Sequence, residues 1–164
     1  MKHVIPTMVL AATTTVVATQ AAGQQAFSTI VEHYEAIRQI LIEDSTNAIA
    51  GHAEAIAATT VAFRHDFSAA AAGIDPGDAE AVKALLPEIE ERASSMATAD
   101  GLEEVRAALA ELTKPLVRWH ELIEGARPVV AYCPMEKRAW LQPDEAIGNP
   151  YAPYMLRCGE VVQR

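Results

Sequence analysis

From Phe27 onward the apolar side chains fall at Phe27, Ile30, Val31, Tyr34, Ile37 and Leu41. Steps of three and four place them on one face of an α-helix, so this stretch is predicted helical. Thr29 and Glu32 have the spacing of a capping box at its start. Asp44 and Ser45 then punctuate the chain, and either suits the N-cap of a second helix. That helix carries Ile49, Ala53, Ile56, Thr60 and Phe63 on one side and is rich in alanine elsewhere. Residues 69–77 read as a loop ending in Pro76-Gly77, with Asp78 as the next N-cap. Val82, Leu85, Leu86, Ile89, Ala93 and Met96 form a third stripe, in which Pro87 is expected to kink the helix. After Asp100-Gly101 comes the most regular stripe: Leu102, Val105, Leu109, Leu112, Leu116, Trp119 and Ile123, with a bend expected at Pro115.

Four such stripes joined by short connections predict an all-α, up-down four-helix bundle over about residues 27–125. The pattern changes after Gly125. Residues 128–153 contain five of the nine prolines, and four of the nine aromatic side chains lie between Tyr132 and Tyr154. Residues 129–132 suit a short strand and residues 144–147 a turn of helix, with ordered loop elsewhere. Residues 128–164 are therefore expected to lie as a lid across the bundle, the kind of segment in which function concentrates.

The first residues have a different character. Met1-Lys2-His3 is a short positive start, residues 4–19 carry no charge, and small residues follow from Ala18 to Gly23. This is the layout of a secretory signal, with cleavage expected near Ala21 or Gly23. The reading is a signal segment over 1–23 and a single domain over 24–164, exported to the periplasm and not retained in the membrane. Export makes a disulfide permissible.

Composition narrows the function. Thirteen Lys and Arg against 22 Asp and Glu give a formal net charge of -9, which excludes a protein that works by gripping nucleic acid. Phosphate-loop, dinucleotide, zinc-protease and c-type haem motifs are absent from the sequence. Spacing isolates no nucleophile with its base and no pair of haem ligands, so the chain is not expected to be an enzyme. The repeated glutamates, as in Glu90-Glu91 and Glu103-Glu104, read as solvated helix faces.

Candidate chemistry lies in the tail. Cys133 and Met135 flank Pro134, and Met155 and Cys158 stand three residues apart. Thiolate and thioether are soft donors that select Cu(I) or Ag(I). Folding the tail back brings the two pairs together as a soft-metal site, with His120 as the histidine best placed to join them. The alternative is a structural disulfide between Cys133 and Cys158, worth about 3 kcal/mol for such a loop. In that case Met135 and Met155 are packing residues. Oxidised cysteines supply no thiolates, so at any moment only one of the two applies. His33, His52 and His65 read as surface or capping histidines. Whichever chemistry holds, Cys133, Met135, Met155 and Cys158 are expected to converge.

The order of these elements carries a resemblance. Tyr132-Cys133-Pro134-Met135, Trp140-Leu141, Ile147-x-Asn149-Pro150-Tyr151 and Met155-Leu156-x-Cys158-Gly159 follow one another over about the last 30 residues. In this the chain resembles an uncharacterised exported bacterial helical domain. That domain also occurs appended to periplasmic adaptor subunits of copper and silver efflux pumps. Here the segment after Met135 is shorter than in that domain and lacks a glycine before the tryptophan. Ala152-Pro153 stands where an aromatic residue and glycine are common. The resemblance implies a periplasmic helical domain tied to copper handling, with an efflux adaptor or another envelope protein as its partner.

Overall fold

The computed structural model describes residues 17–164. The expected signal segment lies for the most part outside the described residues. Among the described residues there are five α-helices: α1 (Val17–Ile42), α2 (Ile49–His65), the single turn α3 (Ala69–Ala72), α4 (Ala79–Ala97) and α5 (Gly101–Leu122). Three strands follow: β1 (Val129–Cys133), β2 (Arg138–Gln142) and β3 (Glu160–Gln163). The four stripes become the core. All their members are buried except Val31 and Leu102, which are half-buried.

The long helices pack in the order α1–α2–α4–α5, and β2 lies against both α1 and α5. The sheet therefore closes the fourth side of the bundle. Across that side, Tyr34 of α1 meets Thr113 of α5, hydroxyl to hydroxyl at 2.6 Å. The Tyr34 oxygen also accepts the Leu141 amide of β2 at 3.4 Å. Burial pushes the Tyr34 phenol up to about 12, so it stays neutral and serves as a three-way connector. Phe27 meets Trp119 edge-on, with ring centroids 5.0 Å apart.

The fold is mostly helical but not all-α. The tail forms a three-stranded antiparallel sheet in the order β2-β1-β3. Val129, Val130, Tyr132, Trp140 and Leu141 are β-branched or bulky and favour strand, and β1 pairs with β2 with Ala131 opposite Trp140. The central strand β1 is buried along most of its length, so this segment packs across the bundle as an ordered sheet and not as loop. No helical turn forms at residues 144–147, where Asp144 Oδ1 takes the Ala146 amide at 2.8 Å and bends the chain.

Helix ends also differ from expectation. Thr29 lies inside α1, whose helix begins upstream of it. α2 starts after Ala48 in a left-handed conformation, φ 67°, and not from a capping side chain. Asp44 is drawn instead to Arg106, at 2.7 Å. Ser68 caps α3 by accepting the Ala71 amide at 3.1 Å. Asp78 precedes α4 without a side-chain capping bond. Pro87 and Pro115 sit within continuous helices.

Two buried arginines fasten the tail to the bundle. Arg38 is held by both carboxylate oxygens of Glu35 at 2.6 Å and donates to the Gly148 carbonyl. Arg106 donates to the carbonyls of Pro150 at 3.1 Å and Leu41 at 3.3 Å. Planar forks suit this bridging of several acceptors.

Candidate metal centre

Sheet register brings the two cysteines together. β3 runs antiparallel to β1 with Glu160 opposite Tyr132, so the residues just before β3 lie beside the end of β1. Cys133 is the last residue of β1 and fully buried; Cys158 is half-buried. Both are free thiols, and they lie near enough for each to influence the other's titration.

The turn after Cys133 shapes its chemistry. Pro134 has no N–H, and Lys137 at φ 54° returns the chain into β2. The backbone amides of Met135 and Glu136 in this turn favour the Cys133 thiolate. Burial pushes that thiol up. The Cys158 S–H and the two amides outweigh burial and hold Cys133 below its ordinary value. Cys158 is raised because its proton is engaged by Cys133. Of the two thiols, Cys133 is thus the one that loses its proton more readily.

The segment before Cys158 is ordered by Asn149, which is fully buried. Its amide donates to the Leu156 carbonyl at 2.9 Å and its side-chain Nδ2 to the Cys158 carbonyl at 3.1 Å. Its Oδ1 accepts the Tyr151 amide at 2.9 Å. Tyr151 reaches β2 through a 2.8 Å bond to the Ala139 carbonyl. Gly159 has φ +145°, and a Cβ there would stand 2.6 Å from the Trp140 ring and 3.2 Å from the Tyr132 carbonyl. Gly159→Ala is therefore expected to lower stability by about 1–3 kcal/mol through overpacking. Thermal unfolding, with tryptophan fluorescence reporting on Trp140, measures it.

The methionines and His120 stand differently. The Met135 side chain is 70% exposed. Met155 is half-buried, and its carbonyl accepts the Cys158 amide at 2.8 Å. His120 is not part of this group. Its Nε2 donates to the Pro128 carbonyl at 2.7 Å, just before β1 begins. Cys133 lies five residues further along the extended chain, roughly 16 Å away. α5 ends beside the opposite end of β1 from the cysteines.

His120 instead makes a pH-sensitive structural contact. It is fully buried and its Nδ1 has no partner, so a proton there would be unsolvated. Burial is the main cause that pulls its pKa below 6.5. The folded chain binds this proton more weakly than the unfolded chain, so stability from the neutral ring is complete above about pH 6.5 and declines as pH falls below it. His120→Gln keeps a donor for Pro128 and is expected to flatten that decline. Denaturation midpoints compared across this window test the point.

No family model, curated protein or solved structure matches the chain. Among the described residues there is no group of three or more His, Cys, Asp or Glu able to hold a metal ion. Two thiols are brought together at Cys133 and Cys158, with the Glu136 carboxylate near enough to act on both. Asn149 and Gly159 were recognisable only as positions in the tail motif. Arg38 and Arg106 left no signal in the sequence.

Proposed function

We propose that this chain is a periplasmic soft-metal-binding accessory protein that holds Cu(I), or the chemically similar Ag(I), between Cys133 and Cys158. The observation that carries the reading is the juxtaposition of two free thiols at one end of β1, set by the β1–β3 register. Amide donors stabilise a thiolate, and a thiolate beside a second cysteine is a soft site that hard cations do not satisfy. Metal binding requires loss of the cysteine protons, and Cys133 gives up its proton more readily than an ordinary thiol. The half-buried Met155 and exposed Met135 are the thioethers available to complete the sphere. The acidic surface favours the approach of cations. Binding, not catalysis, is the activity, and an efflux adaptor or another envelope protein is the partner that the tail resemblance suggests.

The test is a titration of reduced protein with Cu(I) against a chromophoric chelator. Retention of about one Cu(I) supports the reading; transfer of all copper to a weak chelator refutes it. Export has its own check. Amino-terminal sequencing of protein recovered from the cell envelope is expected to begin just after Ala21 or Gly23, and an intact Met1 would contradict export.

A second reading is favoured by the same juxtaposition of thiols. Oxidation of the pair, releasing two electrons and two protons to an envelope oxidant, closes a disulfide and leaves a non-metal docking module. Thiol counting on protein isolated under non-reducing conditions separates the two.

A further inference from the structure

His33 and His52 meet where α1 and α2 pack together. Their Nδ1 atoms are 3.0 Å apart, and the rings lie 5.3 Å centroid to centroid at 47°. Each ring is half-buried and sits beside a fully buried core residue of its own helix, Tyr34 or Ala53. Two packed helices, and not loops, therefore fix the positions of the two nitrogens. With both rings neutral, one must donate Nδ1–H while the other accepts, so the pair needs two different tautomers.

The separation matches a coordination sphere. Two imidazole nitrogens about 2.0–2.1 Å from one ion, at roughly 90–110° to each other, stand about 2.8–3.4 Å apart. We propose that His33 and His52 form a bis-imidazole site for a borderline divalent cation, Cu(II) foremost. On binding, the shared proton leaves Nδ1 and is replaced by one on Nε2 of the same ring, so both rings stay neutral and both Nδ1 lone pairs face the ion. The half-exposed rings leave room for water on the remaining positions. Imidazole suits Cu(II), Ni(II) and Zn(II), and Cu(II) binds most tightly of these to a given nitrogen site. The site shares no residue with the sulfur pair. Should the Cu(I) reading also hold, the chain sorts the two oxidation states by donor softness.

The experiment uses the full chain carrying Cys133→Ser and Cys158→Ser, so that thiols neither bind nor reduce the metal. His3→Ala removes a competing histidine beside the amino terminus. Cu(II) alone is titrated and followed by electron paramagnetic resonance. The expected result is about one bound equivalent with coupling to two nitrogens, lost in His33→Gln and in His52→Gln with helical circular dichroism unchanged. Full binding in both variants, or no nitrogen coupling in the parent, overturns the proposal. Histidine resonances of the parent give a second readout that needs no further variant. Substoichiometric Cu(II) should broaden His33 and His52 before His65 and His120, and any other order counts against the site. Because the thiols are absent throughout, failure here leaves the sulfur reading untouched.

Discussion

Cys133→Ser is expected to abolish high-affinity Cu(I) binding, and Cys158→Ser to do the same, because two soft thiolates cannot be replaced by a hydroxyl and one thiolate. The two substitutions differ in their structural cost. Cys133 is fully buried in the central strand, and serine there places a hydroxyl among core residues. Cys158 is half-buried, so serine is better tolerated there. Met155→Leu is expected to weaken Cu(I) retention only partly, and Met135→Leu less, since its side chain is 70% exposed. Chelator competition on the four variants ranks them. Copper affinity preserved in Cys133→Ser would remove the sulfur pair from the account.

Arg106→Ala is expected to produce the largest loss of stability, about 3 kcal/mol. The guanidinium is buried and joins three separate parts of the chain: the end of α1 through Leu41, the turn after it through Asp44, and the tail through Pro150. Truncation leaves the Pro150 carbonyl without its donor, at roughly 1–3 kcal/mol when buried, and removes the guanidinium packing, while the Leu41 carbonyl keeps the Asp44 amide at 3.1 Å. Asp44 is more than half exposed, so loss of that ion pair adds little. Arg106→Lys restores one point charge but not the fork, and is expected to recover only part of the loss. Urea denaturation gives the values. The same variant should loosen residues 149–158 and thereby Cys158, which amide hydrogen exchange reads directly at the Asn149 and Cys158 amides.

The helical part of this fold was legible because burial on one side of a helix imposes a spacing of three and four. Val82 to Met96 and Val105 to Ile123 follow that spacing, and every member of both stripes is buried. The helix ends were less legible. Thr29 and Glu32 have capping spacing inside a helix that starts earlier, and Asp44 is claimed by an arginine 62 positions away. β1 was legible over residues 129–132, but its partners were not. β2 is buried over Trp140 to Gln142, so it lacks the alternation that marks a strand with one wet face. β3 does alternate, but four residues at the chain's end are too few to stand out. Convergence of Cys133 and Cys158 could be anticipated because disulfide and shared metal both require it. Separation of His120 from them could not, since it follows from where β1 begins relative to α5. The His33–His52 contact depends on the relative rotation of α1 and α2, and single-helix patterns carry no information about that.

The account turns on sulfur being the donor to Cu(I). X-ray absorption at the copper edge of the reduced, copper-loaded protein tests this most directly. The account predicts a Cu(I) edge with a first shell of sulfur alone, lost in the Cys133→Ser and Cys158→Ser double variant. A first shell of nitrogen or oxygen, or copper held equally by the double variant, would contradict it.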